Sequence, residues 1–389
     1  VLGLGKLGLP LALTFAEAGH KTLVWDVDEL PRDAVRRRQS HIDEPDVQGM
    51  LESLRLQLAP PGLMSEIAEV VFVIVPTPSL PSGAFSDEHV ETAIDMMAYN
   101  RSSLDGPIIA CVSTLSPGSS LWLSKMSRDR GMPFVYTPTM IALGSVVHDL
   151  REAEMQIIGQ GALPEEQRAA RVVGRVMKSV ARSTPQAYMR YSSAEITKIA
   201  SNAFSTMKIT FANMLGHMAD AHGANVNEIS YGLALRGHVG SKLITAGAGF
   251  GGPCFPRDTH AFDAAGGMMG KTVHELNDRH AYMIASRVVN AHQEPPTTFS
   301  ILGREYKEGS NYRIEPFSDK VSAVLEDGYE LKPVDSREAD VVVIAMPLRN
   351  VNLCDKIREG ATVIDLWRTH PYLGMCPVRY IPFGIGETS

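Results

Sequence analysis

VLGLGKLGLPLALTFAEAGHKTLVWD, residues 1–26, carries the pattern that decides the fold. Val1-Leu2 reads as the end of a strand, and Gly3, Gly5 and Gly8 follow as G-x-G-x-x-G. Pro10 suits the first turn of a helix. Leu9 to Ala18 has helical periodicity and Gly19 stops it. Thr22–Trp25 is a second strand, closed by Asp26. The step from Gly8 to Asp26 is near the ~20 residues of a dinucleotide fold. In that reading Gly3 and Gly5 make the turn and admit a pyrophosphate, whose charge meets the helix N-terminus. Asp26 accepts from the ribose hydroxyls and repels a 2′-phosphate.

Short apolar strands continue the pattern at Val70–Val75, Ile108–Val112 and Phe134–Tyr136. Their alternation with helical stretches predicts a parallel, doubly wound sheet. Ligands sit at the carboxyl ends of such strands. Thr77 and Thr114 are therefore either ligand contacts or caps of the next helix. Ser192-Ser193 open a long helix from Ala194 to about His222, stopped by Gly223. Lys198 and Asn202 share one face of it, with Asn213 further along. The surrounding Ile196, Ile199, Ala203, Phe204 and Ile209 favour a site face over a solvated stripe, because buried polar groups need partners. The helical middle runs to about His292, and Gln293-Glu294-Pro295-Pro296 reads as a boundary. A second α/β unit follows, with strands at Phe299–Leu302, Val341–Ala345 and Thr362–Asp365 and a helix at Ser318–Glu326. The expected architecture is α/β throughout. A Rossmann domain with a doubly wound sheet spans 1–191, a helical central domain spans 192–293, and a smaller Rossmann-like α/β domain spans 294–389.

Residues 246–258 read AGAGFGGPCFPRD. Glycines let a backbone turn and let a ligand approach closely, while Pro253 and Pro256 stiffen the chain around Cys254. With Arg257 and Asp258 just downstream, Cys254 reads as a presented nucleophile; the plainer alternative is an inert thiol in a tight loop.

Bulk properties bound the rest. A chain of 389 residues is too long for one compact domain. The net charge of −7 and the absence of a long Lys/Arg run argue against a nucleic-acid face. Arg36–Arg38 reads as a solvated helix face. No apolar run approaches the ~20 residues that span a bilayer. Cys111, Cys254, Cys354 and Cys376 lack metal-ligand spacing and disulfide density, so no metal is expected and a reducing cytoplasm fits.

Taken in order, GLGKLGLPLA with Asp26, Val75–Pro78, Asp87, Ser113–Gly118, Gly144–Asp149, Ala194–Phe204 and GFGGPCFPRD resemble the UDP-glucose/GDP-mannose dehydrogenase family. Gly303, Tyr306-Lys307, Arg313 and Glu315-Pro316 resemble the opening of its third domain. The resemblance implies NAD as cofactor, held by Gly3, Gly5, Gly8, Asp26, Thr77, Thr114 and Arg313. It implies a nucleotide-sugar substrate, by default UDP-glucose or a relative, contacted by Lys198, Asn202, Phe250, Gly251, Lys307 and His238. It implies a homodimer made by the helical middle. It also implies oxidation of a primary alcohol to a carboxylate in two NAD-linked steps, with Cys254 holding the aldehyde as a thiohemiacetal and then a thioester. Lys198 and Asn202 would stabilise the oxyanion, Asp258 would move a proton, and Thr114 would order the water. The alternative for Lys307 and Arg313 is ordinary surface charge, and the functional reading is favoured.

Several positions depart from the family pattern. The family's Pro-Glu-Phe-Leu-Arg-Glu stretch is here Thr137–Leu143, so Thr139 and Leu143 replace two carboxylates. His238 stands in the place of a trans-acting arginine, Leu243 in that of an aromatic, and Arg257 in that of a lysine. The third domain is short between Asp335 and Glu338. Two other functions stay open: a non-catalytic nucleotide-sugar-binding paralogue, and a β-hydroxyacid dehydrogenase, which would lack the cysteine loop and third domain.

Overall fold

The computed structural model describes residues 1–99, 106–305, 312–349 and 351–386. The chain divides into two compact units, 1–200 and 201–389.

In the first unit Leu2 bridges in parallel to both Trp25 and Val73. Residues 1–2 therefore lie between β1 (Leu23–Val24) and β3 (Val70–Val73), with β2 (Gln57–Leu58) beyond β1. Two glycines make this possible. Gly3 has φ +91°, and a Cβ there would stand 2.0 Å from the Ile74 carbonyl oxygen. A Cβ on Gly8 would stand 1.9 Å from the Gly3 carbonyl oxygen. The turn thus lies directly against the neighbouring strand, and the helix Gly8–Glu17 starts directly on the turn. That helix buries Leu9, Leu11, Ala12, Leu13 and Phe15; Phe15 packs on Phe72 with ring centroids 4.5 Å apart. It ends where expected, with Gly19 at φ +92°.

The sheet continues through β4 (Ile108–Cys111), β5 (Phe134–Tyr136), β6 (Gln156–Gln160) and β7 (Gln186–Arg190) in the order β3-β4-β5-β6-β7. All pairs are parallel except β5 with β6. This departs from the purely parallel sheet expected. A parallel crossover needs a covering helix, and the β5–β6 connection holds only the six-residue helix Val146–Arg151. The 17-residue helix Pro164–Val180 restores parallel pairing between β6 and β7.

The long helix Tyr191–Ala221 begins in the first unit and continues into the second. The second unit then contains helices Val226–Ala234, Phe255–Ala264 and Gly270–Asn290. Its sheet is built from β8 (Thr298–Leu302), β9 (Lys332–Pro333), β10 (Val341–Ile344), β11 (Thr362–Asp365) and β12 (Arg379–Pro382). The order is β12-β11-β10-β8-β9, parallel throughout. Both faces of β10 are covered: Val341 and Val343 pack with Ile284, Val288 and Phe317, while Val342 and Ile344 pack with Leu353, Ile357 and Leu373. A strand buried on both faces needs an unbroken apolar run, which VVVI supplies. The helix expected over Ser318–Glu326 runs Phe317–Ala323 and widens into a π turn at Val324–Gly328.

Cys354 and Cys376 are joined in a disulfide, with Cα atoms 5.8 Å apart. Spacing alone gave no sign of this pair; the loops following β10 and β11 bring the two together. The same loops line a cavity of about 720 Å³ with Arg349, Asn352, His370 and Tyr372, and it contains none of the expected site residues. Among the described residues no helix is long and apolar enough to cross a membrane, and no group of His, Cys, Asp and Glu could hold a metal ion.

Gly8 is the tightest of these backbone contacts. Gly8→Ala should lower the unfolding free energy by about 1–3 kcal/mol, because the obstacle is backbone and cannot rotate away. Urea denaturation at fixed m-value reads this directly, and unchanged stability would contradict the packing described.

Candidate active site

The first unit fits a dinucleotide at its amino-terminal loop. Beside Gly5 a Cβ would meet nothing within 4 Å, so the loop is open where a phosphate would approach. Asp26 faces this loop: its Oδ2 accepts from Leu4 N–H at 2.6 Å and its Oδ1 from Asp28 N–H at 2.9 Å. His41 lies by Leu4, Asp26 and Asp28, with its imidazole pKa pulled down by burial. Its Nδ1 is buried without a hydrogen-bond partner, a polar atom suited to a sugar hydroxyl. Sequence reasoning missed His41, because an isolated histidine 15 residues past Asp26 carries no pattern.

Thr77 is buried, and its hydroxyl donates to the Thr114 carbonyl at 2.9 Å. Ser113 Oγ accepts from Val75 N–H at 2.9 Å and donates to the Val75 carbonyl at 2.7 Å. The loops after β3 and β4 are thus tied together, which places Thr77 and Thr114 side by side. Buried Glu195 accepts from Gly118 N–H at 2.7 Å and Ser120 N–H at 2.6 Å, capping the helix Ser119–Asp129. Burial raises the pKa of both Glu195 and Asp87. Lys198 is 8% exposed; its ammonium donates to the Thr139 carbonyl at 3.0 Å. The stretch that lacks the family's carboxylates is therefore held by Lys198 through its backbone. Glu44 accepts from Gly144 N–H at 2.8 Å, just beyond Leu143.

In the second unit Cys254 is the residue preceding the helix Phe255–Ala264, and it is partly exposed. Asp258, one turn on, is fully buried and accepts from Asn202 Nδ2 at 2.6 Å; Arg257 Nε lies 3.3 Å from its other oxygen. The expected Asn202 and Asp258 are therefore brought together.

The loop leading to Cys254 has little backbone pairing of its own and is held by buried and half-buried side chains. Asn213 Oδ1 accepts from Gly247 N–H at 2.8 Å, and Asn213 Nδ2 donates to the Ala248 carbonyl at 3.2 Å. Asn277 Oδ1 accepts from Phe250 N–H at 3.1 Å, and its Nδ2 donates to the Phe250 carbonyl at 3.0 Å. Arg368 Nη2 donates to the Ala246 carbonyl at 2.8 Å. His280 Nε2 lies 2.9 Å from the Gly247 carbonyl oxygen, and His217 Nε2 lies 2.8 Å from His280 Nδ1. A Cβ at Gly251 would stand 2.2 Å from the Glu315 carbonyl oxygen, which explains that glycine by packing. Phe250 is buried edge-on to His274. Asn277, His280 and Arg368 escaped sequence reading, because their roles depend on contacts across the fold.

Other positions singled out in the sequence are exposed. His238 is exposed, and Leu243 is exposed with φ +60°. Arg313 is exposed and pairs with Asp319 at 2.7 Å. Lys307 lies outside the described residues.

Two predictions follow from these geometries. Asp26 should make NAD the preferred cofactor over NADP by at least about ten-fold in kcat/KM, and Asp26→Ser should narrow the gap; equal use by the native protein would remove Asp26 from the site. Separately, burial, with Arg287 and Arg279 adding to it, pulls the His217 pKa down to about 4. Burial and then His217 pull His280 down to about 3. Both folded values lie below the unfolded 6.5. The unfolded chain therefore binds protons first, and the stability these groups contribute is intact above pH 6.5 and lost as the pH falls towards 4 and 3. The loss by pH 5 should be about 2 kcal/mol per imidazole that stays neutral. Denaturant titration of His217→Gln/His280→Gln against the native chain isolates this contribution, and identical pH profiles would refute it.

The comparisons with known proteins agree with this layout. Residues 1–177 match the NAD binding domain of the UDP-glucose/GDP-mannose dehydrogenase family, and residues 192–279 match its central domain. A UDP-glucose 6-dehydrogenase of Rhizobium meliloti is 30% identical over 67% of this chain and 61% of its own length. UDP-glucose 6-dehydrogenase TuaD of Bacillus subtilis is 26% identical over 86% of this chain and 75% of its own. Two solved structures share the fold. The UDP-glucose dehydrogenase of Pyrobaculum islandicum has a TM-score of 0.79 at 24% identity, covering 100% of this chain and 96% of that one. The UDP-D-ManNAc dehydrogenase of Pyrococcus horikoshii has a TM-score of 0.84 at 21% identity, covering 100% and 99%. The β3–β4 and Gly3–Gly8 loops thus form part of an NAD-binding domain, and the chain belongs to the UDP-glucose/GDP-mannose dehydrogenase family.

Proposed function

We propose that the protein oxidises the primary alcohol of a nucleotide sugar to a carboxylate through Cys254. The observation that carries this reading is Cys254 at the start of a ten-residue helix, with buried Asp258 one turn on and bonded to Asn202. A helix N-terminus favours negative charge, the state in which sulfur attacks. NAD, when bound, accepts the hydride in both oxidations. Cys254 Sγ adds to the aldehyde carbon, and the carbonyl oxygen takes up charge that Asn202 is suited to stabilise. Loss of hydride from the thiohemiacetal leaves a thioester. Water adds to the thioester carbon and the sulfur leaves as thiolate, restoring the enzyme. Asp258 is the carboxylate suited to move the proton.

The default substrate is UDP-glucose, on the names of the curated relatives. The UDP-D-ManNAc neighbour keeps N-acetylated sugars in the test panel. A non-catalytic, sugar-binding role is favoured by one observation: Thr139 and Leu143 offer no carboxylate for activating water. Retention of Cys254, Asp258, Asn202 and Lys198 favours catalysis. Homodimerisation has a specific support, since Phe204, Phe211 and Met218 recur every seven residues along one helix and are 56%, 51% and 57% exposed in the single chain.

Each sugar should yield two NADH with no free aldehyde, and Cys254→Ala should abolish acid formation. With Thr139 and Leu143 in place, deacylation should be slow, giving a burst of about two NADH per site, because base assistance is worth roughly 10²–10⁴-fold. Acid formation by the alanine variant at the native rate would refute the covalent route. Tight binding of a nucleotide sugar without any NADH would favour the binding role.

A further inference from the structure

A buried histidine, His280, and a half-buried one, His217, support the nucleophile loop. The Gly247 carbonyl can only accept, so His280 Nε2 must carry a proton. In a neutral ring Nδ1 then bears the lone pair, and it must accept from His217 Nε2–H. The contacts thus fix both tautomers and link two helices to one loop carbonyl. Gly247 is held on both sides, since Asn213 takes its N–H. It cannot carry a side chain, because a Cβ would stand 2.7 Å from the Trp367 ring.

We propose that His217 and His280 are positioning residues for Cys254: as a neutral, tautomer-fixed pair they hold the Gly247 carbonyl and set the path of the loop that presents the thiol. This rests on the reading of Cys254 as nucleophile. Asn213 and Asn277 clamp the same loop but do not titrate; the histidine pair does. A second proton on His280 would point Nδ1–H at His217 Nε2–H and break the link unless His217 changed tautomer. The surroundings oppose the charge. Phe317 stacks on His280 at 4.9 Å, and Phe383 lies against both rings at 5.0 and 5.4 Å. Arg279 and Arg287 repel a charge on His217. Asp220, one turn beyond His217, is already engaged by Arg287 and by Gly384 N–H at 2.9 Å. On the loop's other side Arg368 holds the Ala246 carbonyl and interacts with Asp365. Acid therefore acts by opening the loop: the opened histidines take up protons that the closed pair refuses.

Amide hydrogen exchange at Gly247 and Phe250 tests this without reference to turnover. In the native protein, protection at Gly247 should fall on the order of ten-fold between pH 7 and pH 5.5 for each imidazole that takes up a proton on opening, after correction for intrinsic exchange. It should be flat with pH in H217Q/H280Q. H280L should expose the loop amides, slow acid formation about ten-fold through kcat and leave the KM for NAD unchanged. H280Q, which keeps an N–H donor, should recover most of that loss. Alkylation by iodoacetamide, located by peptide mass, reports the thiol itself, since Cys111 is buried and Cys354 is joined to Cys376. Its rate should change in H280L and recover in H280Q. If H280L does not fold, the native pH profile and H280Q still decide. Protection at Gly247 that ignores pH in the native chain, or H280L matching native exchange and kcat, would overturn the proposal. Acid formation by Cys254→Ala would instead overturn the nucleophile reading, while exchange at Gly247 still reported the clamp.

Discussion

A loop without sheet or helix partners must still satisfy its backbone, and the second unit depends on how this is done between Ala246 and Phe250. Side chains supply the missing hydrogen bonds: half-buried Arg368 to the Ala246 carbonyl, and buried Asn213 and His280 to Gly247, Asn213 to Ala248, and Asn277 to Phe250. Leaving any one buried group unpaired costs about 1–3 kcal/mol, so the set acts against every alternative path of the chain. The glycines follow from the same constraint. Gly247, Gly249 and Gly251 would place a Cβ within 2.2–2.7 Å of Trp367, Asn277 and Glu315 respectively. Close packing therefore accounts for these glycines.

The first unit solves a similar problem with backbone alone. Gly3 and Gly8 let strand, turn and helix touch without side chains between them, and the turn itself is tied to the Asp26 carboxylate through Leu4 N–H. Across the loops after β3 and β4, Ser113 and Thr77 provide the cross-links. Between Thr137 and Leu143, where Thr139 and Leu143 stand in place of carboxylates, Lys198 holds the Thr139 backbone carbonyl.

The dinucleotide half was legible because its determinants are local: glycine spacing, one helix and one acidic residue within 26 positions. The helix from Tyr191 and the strands at Phe134–Tyr136 and Thr362–Asp365 were legible from periodicity and apolar runs. β6 and β7 were not, because Gln156, Gln160, Gln186 and Arg190 break the apolar signal at both strand ends. The reversal at β5–β6 depends on a connection whose helix is too short to announce itself. In the site, Cys254, Asp258 and Asn202 were visible as residue types in sequence. His280, Asn277 and Arg368 became meaningful only once the fold brought them to one loop, and the Cys354–Cys376 pair only once two strand-end loops met.

The central claim is that this held loop presents Cys254 as a covalent nucleophile. Acid quench of a single turnover with a UDP-sugar and NAD, followed by peptide mass analysis, tests it most directly. The account predicts an acyl adduct on the peptide containing Cys254, formed as the second NADH appears and decaying with product release. Complete conversion to the acid with that peptide unmodified at every time point would contradict it.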